Sequence, residues 1–187
     1  MQVKVNGQTD NIAIDGSPEI SWKYSFTKLL TVQESWQVIV TDECGATIFD
    51  SGIHVGRQMV CMVDGGKLET DKRYHVHVRT KASGREYRAT AQFETAIMHS
   101  EDWRAQWVTG NAIGTVFKTA QKPLRAKLFV SGLGYYHCYL NGIKVGDLHA
   151  SPAYTNYSKR TEYQVFDVTD RIETKNSLYI LTASHFE

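Results

Sequence analysis

The chain has 187 residues, of which 42% are hydrophobic and 22% are charged, a composition typical of a folded protein with a sizeable core. Its formal net charge of +1, with both signs interspersed, gives no indication of a nucleic-acid partner or an anionic membrane. No apolar run approaches the length that crosses a bilayer, and three widely spaced cysteines argue against a disulfide framework. The first residues lack the apolar stretch of a signal peptide, so we expect a cytoplasmic protein.

Alternation of apolar and polar residues dominates roughly the first half of the chain. Three sets are each expected on one face of a strand: Ile20, Trp22 and Tyr24; Trp36, Val38 and Val40; Tyr74, Val76 and Val78. Turn-forming residues separate these runs, at 15–18, 43–45, 64–66 and 83–84. This pattern predicts a β-sandwich similar to fibronectin type III or immunoglobulin domains.

Leu68 lies six residues before Tyr74, a spacing that predicts a tyrosine corner at the last-but-one strand. Because no cysteine pair is placed to join the two sheets, the fibronectin-like version of the sandwich is favoured over the antibody-like one.

The pattern changes near residue 97, where the sequence IMHSEDWRAQW has helical character. Trp103 and Trp107 lie one helical turn apart there. We interpret residues 97–108 as a connector whose tryptophans hold two domains together.

Strand patterns resume in the second half, which contains the sequence VSGLGYYHCYLNGIKVGD at 130–147. Asn141-Gly142 between two β-prone runs predicts a tight hairpin, since both residues accept a positive φ. The preceding strand is expected to bury one of two alternating sets, which are Tyr136, Cys138 and Leu140, or Tyr135, His137 and Tyr139. The fold class is therefore all-β, with two β-sandwich domains.

The second half resembles the N-terminal module of bacterial α-L-rhamnosidases of glycoside hydrolase family 78. Its first stretch matches that family's pattern at Gly132, Gly134, Tyr135, Tyr136, Tyr139, Leu140, Asn141, Gly142, Val145, Gly146 and Asp147. The second stretch matches at Pro152, Thr155, Tyr157, Arg160, Tyr163, Asp167, Val168 and Thr169. The first half resembles the fibronectin-type domain that precedes this module, although Phe49 and Val76 stand where tryptophan is common.

The resemblance implies a fibronectin III-like sandwich over 1–96 and a jelly-roll-like sandwich over 109–187 that is cut short. In the family, inverting hydrolysis of terminal α-L-rhamnosides depends on two carboxyl groups in an (α/α)₆ barrel much further along the sequence. None of the 20 Asp and Glu residues maps to that pair, and no nucleophile motif is present. We therefore expect a non-catalytic accessory fragment, which is not an enzyme by itself.

Five residues near predicted turns have the chemistry of a sugar site: Asn141, Asp147, Tyr154, Tyr157 and Arg160. Three interpretations of them stay open: a structural role, docking on the missing catalytic domain, and recognition of L-rhamnose-containing glycans. Related modules include calcium-dependent rhamnose binders, but no acidic calcium loop is present. His75 and His77 share one strand face without a third ligand, so a solvated sheet face is favoured over a metal site.

The last predicted strand, 177–184, is expected to offer an open apolar edge through which the protein forms a homodimer. Two alternatives to the accessory fragment are a free-standing rhamnose-binding lectin-like module and a structural pair of sandwiches that binds another protein.

Overall fold

The computed structural model describes residues 1–25, 32–147 and 152–183. The chain divides into two compact units, residues 1–104 (unit 1) and residues 105–187 (unit 2). In these ranges both units consist of β-strands with three short 3₁₀ helices, so the predicted all-β fold class is confirmed. No helix in the described ranges is long and apolar enough to span a membrane.

The described residues of unit 1 form nine strands. In chain order they are β1 Gln2–Val5, β2 Asp10–Ile14, β3 Glu19–Lys23, β4 Gln33–Asp42, β5 Thr47–Asp50, β6 His54–Val55, β7 Val60–Met62, β8 Arg73–Ala82 and β9 Arg85–Thr95. One sheet has the order β1-β3-β7, and the other has the order β2-β9-β8-β4-β5, with β6 also paired to β4. The β2–β9 pair is parallel and the other pairs are antiparallel. A 3₁₀ helix, Gly65–Lys67, precedes β8.

The core of unit 1 lies between these sheets and contains eight of the nine residues that the alternating pattern predicts, whereas Tyr24 follows the end of β3 and is half-buried. Trp36, Val38 and Val40 on β4 are buried, as are Tyr74, Val76 and Val78 on β8 and Ile20 and Trp22 on β3. The predicted tyrosine corner is also present, because the Tyr74 hydroxyl accepts a hydrogen bond from the backbone N–H of Glu69 at 2.9 Å. Leu68 is buried beside it.

A second 3₁₀ helix, Ser100–Asp102, is the helical part of the segment where the sequence predicts a connector. Residues 103–111 that follow it have no helix or strand before β10, so Trp103 and Trp107 do not share a helix face. The prediction of helical character over this whole stretch is wrong. Three residues of 3₁₀ helix are too few to place side chains four residues apart on one surface.

Six strands are formed by the part of unit 2 that the structure describes. They are β10 Ala112–Lys118, β11 Lys127–Ser131, β12 Tyr135–Leu140, β13 Ile143–Val145, β14 Tyr163–Asp167 and β15 Lys175–Ala183, with a 3₁₀ helix at Thr169–Arg171. A sheet of order β10-β15-β12-β13 faces a two-stranded sheet, β11-β14. The core between them includes Val130, Cys138, Leu140, Val145 and Ile172. A jelly-roll connectivity for this unit stays a prediction.

The predicted hairpin of unit 2 is confirmed. Strands β12 and β13 pair antiparallel around Asn141 and Gly142, whose φ angles are 52° and 80°. These values are those of a type I′ turn, which matches the twist of the flanking strands. Tyr136, Cys138 and Leu140 form the buried set on β12, and the alternate residues are half-buried.

The predicted open edge at the C-terminal strand is wrong. Strand β15 pairs with β10 on one side and with β12 on the other, so it lies inside its sheet. Strands β10 and β13 are the edges of this sheet in the order described. A homodimer through β15 therefore has no free backbone edge to use, and self-association by another surface stays a prediction.

Candidate functional site

Asn141 is a structural residue of the β12–β13 turn. Its side-chain amide nitrogen donates to the backbone oxygen of Arg171 at 2.8 Å and to Oδ1 of Asn176 at 3.0 Å. Its Oδ1 accepts a hydrogen bond from the backbone N–H of Ser177 at 2.9 Å. Because these bonds occupy both ends of the amide, the side chain has little capacity left for a sugar hydroxyl.

Tyr154 and Tyr157 lie near the other end of β12. Their rings meet edge to face, with centroids 5.4 Å apart. The Tyr157 hydroxyl accepts a hydrogen bond from the backbone N–H of Gly134, just before β12. Gly134 and Asn141 flank a six-residue strand, which separates the tyrosines from Asn141 by roughly 20 Å. The structure therefore does not bring these predicted site residues together.

Asp147 and Arg160 complete the set that the sequence predicts. Asp147 is exposed and follows Gly146, the residue after β13. Arg160 is exposed, and its guanidinium lies 3.3 Å from a carboxylate oxygen of Glu162. An exposed pair of this kind contributes little to stability and defines no pocket.

Unit 2 has a groove with a volume of about 630 Å³ at a different place, which we call the uncharged groove. One wall is the segment 106–111 and the other is the β11–β12 loop with its flanks, 130–135. Its base is formed by Ile113, Tyr136, Ile180 and Thr182. Ile113 and Ile180 are partners across β10 and β15, and Ile180 pairs in turn with the core residue Cys138.

Hydrogen bonds hold both walls of the uncharged groove. Thr182 fixes the first wall, because its hydroxyl donates to the backbone oxygen of Gly110 at 2.8 Å and its N–H donates to that of Asn111 at 3.2 Å. Tyr136 fixes the second wall by donating its hydroxyl to the backbone oxygen of Val130 at 3.1 Å. A side chain at position 132 has no room, because a Cβ on Gly132 would lie 2.7 Å from the Tyr136 ring.

Burial controls the titration of the groups beneath this groove. Burial, with a smaller effect of the neighbouring Cys138, raises the pKa of the Tyr136 hydroxyl. Burial also raises the pKa of the Cys138 thiol to about 11. Both groups are therefore neutral at physiological pH, and neither is an activated acid, base or nucleophile.

The residues that line the uncharged groove were not predicted as a site. Trp107 was assigned to a helical connector, and Tyr135 and Tyr136 were assigned to the hairpin core. Trp107 instead lies at the groove with 65% of its surface exposed, and the exposed residues Gln106 and Asn111 also line it. The sequence shows a tryptophan close to two amide residues, Gln106 and Asn111. It does not show that this segment lies beside β12.

Metal binding has no structural support within the described ranges. They contain no group of three His, Cys, Asp or Glu side chains arranged to hold a metal ion. His77 lies 3.5 Å from the hydroxyl of Thr41 on the neighbouring strand, consistent with a polar sheet face.

Two tandem β-sandwich units, the first with a tyrosine corner and the second with an aromatic hairpin, define a protein built from β-sandwich modules. Residues 1–99 match the family described as Rha78A-like, N-terminal immunoglobulin domain, and residues 121–184 match the alpha-L-rhamnosidase N-terminal domain. The chain therefore belongs to the N-terminal domains of the α-L-rhamnosidase family.

Relatives with this description match nearly the whole chain. An α-L-rhamnosidase of Formosa agariphila is 25% identical over 228 residues, which cover 99% of this chain and 24% of the relative. The structure of an α-L-rhamnosidase from Dictyoglumus thermophilum has a TM-score of 0.90 and 27% identity, over 98% of this chain and 25% of that one. An α-L-rhamnosidase structure from Aspergillus terreus, at 19% identity and a TM-score of 0.76 over 98% of this chain and 23% of its own, shares the fold. The chain thus spans about a quarter of the length of these relatives.

Proposed function

We propose that this chain is the non-catalytic N-terminal part of an α-L-rhamnosidase that hydrolyses terminal α-L-rhamnosides. Its role is to support the position of the catalytic portion and to recognise carbohydrate. The observation that carries the proposal is the asymmetry of coverage, because the Dictyoglumus thermophilum enzyme matches 98% of this chain with only 25% of its own length.

The acidic residues of the described ranges support a non-catalytic role. Glycoside hydrolysis by inversion needs two carboxyl groups about 6.5–9.5 Å apart across the bond that breaks. Glu94 is the buried carboxylate within these ranges, and Arg73 holds it with two hydrogen bonds, of 2.6 and 2.9 Å. Among the residues that the structure describes, no carboxylate lines the uncharged groove. The Glu94 carboxylate, paired with Arg73, therefore serves the fold of unit 1 rather than proton transfer.

Two experiments test the proposal. The chain alone, incubated with an aryl α-L-rhamnoside, is expected to give no turnover, with the Dictyoglumus thermophilum enzyme as the positive control.

A chimera of that enzyme carries this chain in place of its matching quarter and is compared with a deletion of the same quarter. The chimera is expected to keep activity and thermal stability that the deletion loses. A chimera no better than the deletion would overturn the supporting role, and turnover by the chain alone would overturn the non-catalytic one.

A further inference from the structure

We infer that a basic hollow on the outer face of unit 1 binds a small organic phosphate monoester, with the phosphate group held between Arg79 and Arg88. This inference goes beyond the proposed function and does not depend on it, because it concerns a charged ligand and a surface that lies entirely on unit 1.

The basic hollow lies on the side of the larger sheet of unit 1 that faces away from the core, and its volume is about 310 Å³. Its charged and amide side chains among the described residues are Gln37 on β4, Arg79 and Lys81 on β8, and Glu86 and Arg88 on β9. Three cationic side chains and one carboxylate leave this part of the lining with a net charge of +2. The hollow therefore favours an anion.

Arg79 and Arg88 face each other across the β8–β9 ladder, where they are register partners. Directly opposite residues of an antiparallel pair have Cβ atoms about 5 Å apart, and like charges at that separation oppose strand pairing. Near one end of the same ladder an opposite-charge pair meets instead, because Arg73 faces Glu94 and forms a salt bridge of 2.6 Å with it. An anion between the two opposed guanidinium groups would replace their repulsion with two charge-assisted contacts.

The neighbouring acidic residues leave Arg79 available to a ligand. The guanidinium of Arg88 lies 3.3 Å from Glu86, and the ammonium of Lys81 lies 3.6 Å from Glu34. Both are exposed pairs, which a stronger ligand can replace at small cost. Arg79 is exposed and forms no hydrogen bond or salt bridge with the residues that the structure describes. Its donors are therefore free for an oxyanion.

Asp50 is the carboxylate whose charge Arg79 influences. Hydrogen bonds from Gln37 and the backbone of Gly52, each 2.8 Å long, and to a lesser extent the charge of Arg79, hold the pKa of Asp50 below its ordinary value. Both hydrogen bonds go to the same oxygen, Oδ1, and Asp50 does not line the hollow. Asp50 therefore orients Gln37 beside Arg79 without occupying the place of the ligand.

The charge and size of the hollow favour a phosphate monoester among anions. A phosphate monoester carries a charge of about −1.5 to −2 at pH 7, which matches the lining better than the single charge of a carboxylate. The planar fork of a guanidinium also matches the geometry of phosphate oxygens. A free phosphate ion would fill only part of a volume of about 310 Å³. Ile53, which lines the hollow and is 76% exposed, supplies an apolar contact for the organic group.

The test is a titration of the whole chain at neutral pH and constant ionic strength, followed by amide NMR, with phenyl phosphate, inorganic phosphate and benzoate. Saturable shifts are expected with millimolar phenyl phosphate at residues 35–37, 79–81 and 86–88. Benzoate is expected to bind about tenfold more weakly, and inorganic phosphate about threefold more weakly. Equal affinity for benzoate would overturn the assignment of a dianion, and equal affinity for inorganic phosphate would overturn that of an organic ester. The absence of saturable shifts would overturn the site itself.

Three variants locate the site. Arg79→Gln and Arg88→Gln are each expected to weaken phenyl phosphate binding at least about tenfold. Arg85→Gln is the matched control, because Arg85 is an exposed arginine on β9 that faces Ala82 and lies outside the hollow. It is expected to bind phenyl phosphate as the unchanged protein does. An equal loss in all three variants would show that overall charge, and not the hollow, attracts the anion.

Thermal unfolding of unit 1 at low ionic strength supplies an independent measurement. Without ligand, Arg88→Gln is expected to unfold at a temperature no lower than that of the unchanged protein, because the variant removes the repulsion from Arg79. Phenyl phosphate is expected to raise the unfolding temperature of the unchanged protein but not that of Arg88→Gln. A marked drop in the ligand-free variant would show that Arg88 serves the sheet, and an undiminished rise with phenyl phosphate would place binding elsewhere. Either result would overturn the inference.

Discussion

The phenolic oxygen of Tyr157 accepts a hydrogen bond from the backbone N–H of Gly134 at 3.0 Å. This bond ties a residue that the sequence predicts as a sugar ligand to the back of a groove wall. Tyr157 therefore acts by holding the β11–β12 loop, which borders the uncharged groove. The residue has the right chemistry for recognition, but its hydroxyl serves the fold.

Removal of this hydroxyl is expected to destabilise unit 2 slightly. Tyr157→Phe leaves the N–H of Gly134 without its partner, which lowers the free energy of unfolding by about 1 kcal/mol. Tyr179→Phe is the matched control, because Tyr179 lies on β15 with 42% of its surface exposed, and no change is expected there. Urea unfolding followed by NMR signals of unit 2 measures the difference. Equal midpoints for the two variants would contradict the assignment.

The hairpin could be predicted from sequence because its determinants are local. Asn141 and Gly142 accept the positive φ angles of the turn, and the alternation of Tyr136, Cys138 and Leu140 selects the buried face of β12. The inward faces of β4 and β8 follow from the same period of two. Each of these inferences needs only neighbours in the sequence.

The groove could not be predicted, because it depends on contacts between distant segments. Its first wall is fixed by the bond from Thr182 to Gly110, 72 residues apart in sequence. The internal position of β15 likewise depends on pairing with both β10 and β12, which apolar alternation does not specify. The tryptophan spacing of 103 and 107 suggested a helix, but two aromatic residues cannot nucleate one without a longer pattern.

Substitution of Asn141 tests its structural role in the β12–β13 turn. Asn141→Ala removes three hydrogen bonds and places alanine, which tolerates a positive φ less well than asparagine, at a φ of 52°. A loss of about 2–4 kcal/mol in the free energy of unfolding is therefore expected. Asn141→Gly removes the same bonds but accepts the backbone conformation, so its loss is expected to be smaller. Thermal unfolding measures both variants. Equal losses in the two variants would contradict a contribution of the positive φ at position 141 to the difference between them.

Gln33 is a buried polar junction in unit 1. Its Oε1 accepts from Nε1 of Trp22 at 2.8 Å and from the hydroxyl of Tyr24 at 2.9 Å, and its Nε2 donates to the backbone oxygens of Gly56 and Gln58 at 3.2 and 2.6 Å. All four hydrogen-bonding positions of the amide are thus used. The residue is 3% exposed, so water cannot replace these bonds.

Gln33→Met keeps the size of this side chain but leaves the indole N–H of Trp22 buried without its acceptor. A loss of about 2–4 kcal/mol in the stability of unit 1 is expected. Gln92→Met, on the exposed face of β9, is the control and is expected to change stability by less than about 0.5 kcal/mol. Tryptophan fluorescence during denaturation reports the change. A variant as stable as the control would show that the hydrogen-bonded amide contributes nothing net.

The three cysteines are expected to differ in reactivity. Cys44 is exposed, whereas Cys61 and Cys138 are buried, and burial raises the pKa of both buried thiols. Because the thiolate is the reactive form, a thiol reagent at neutral pH is expected to modify Cys44 alone in the folded protein. Denaturant should release the other two, and mass spectrometry of digested protein counts them. Rapid modification of Cys138 in the native state would contradict the packing of the unit 2 core.

Alkaline pH is expected to weaken unit 2. Burial raises the pKa of the Cys138 thiol from its ordinary value near 9 to about 11, and it also raises that of the Tyr136 hydroxyl. The unfolded thiol ionises near pH 9 while the folded one stays protonated, so the folded state binds more protons over this interval. The stability from the thiol is therefore complete below pH 9 and is lost as the pH rises through about 11. Between pH 9 and about 11, the urea midpoint of unit 2 should fall less steeply in Cys138→Val than in the unchanged protein. In the control Cys44→Ser it should fall as steeply as in the unchanged protein. Parallel curves for Cys138→Val and the unchanged protein would show that this thiol is not the titrating group.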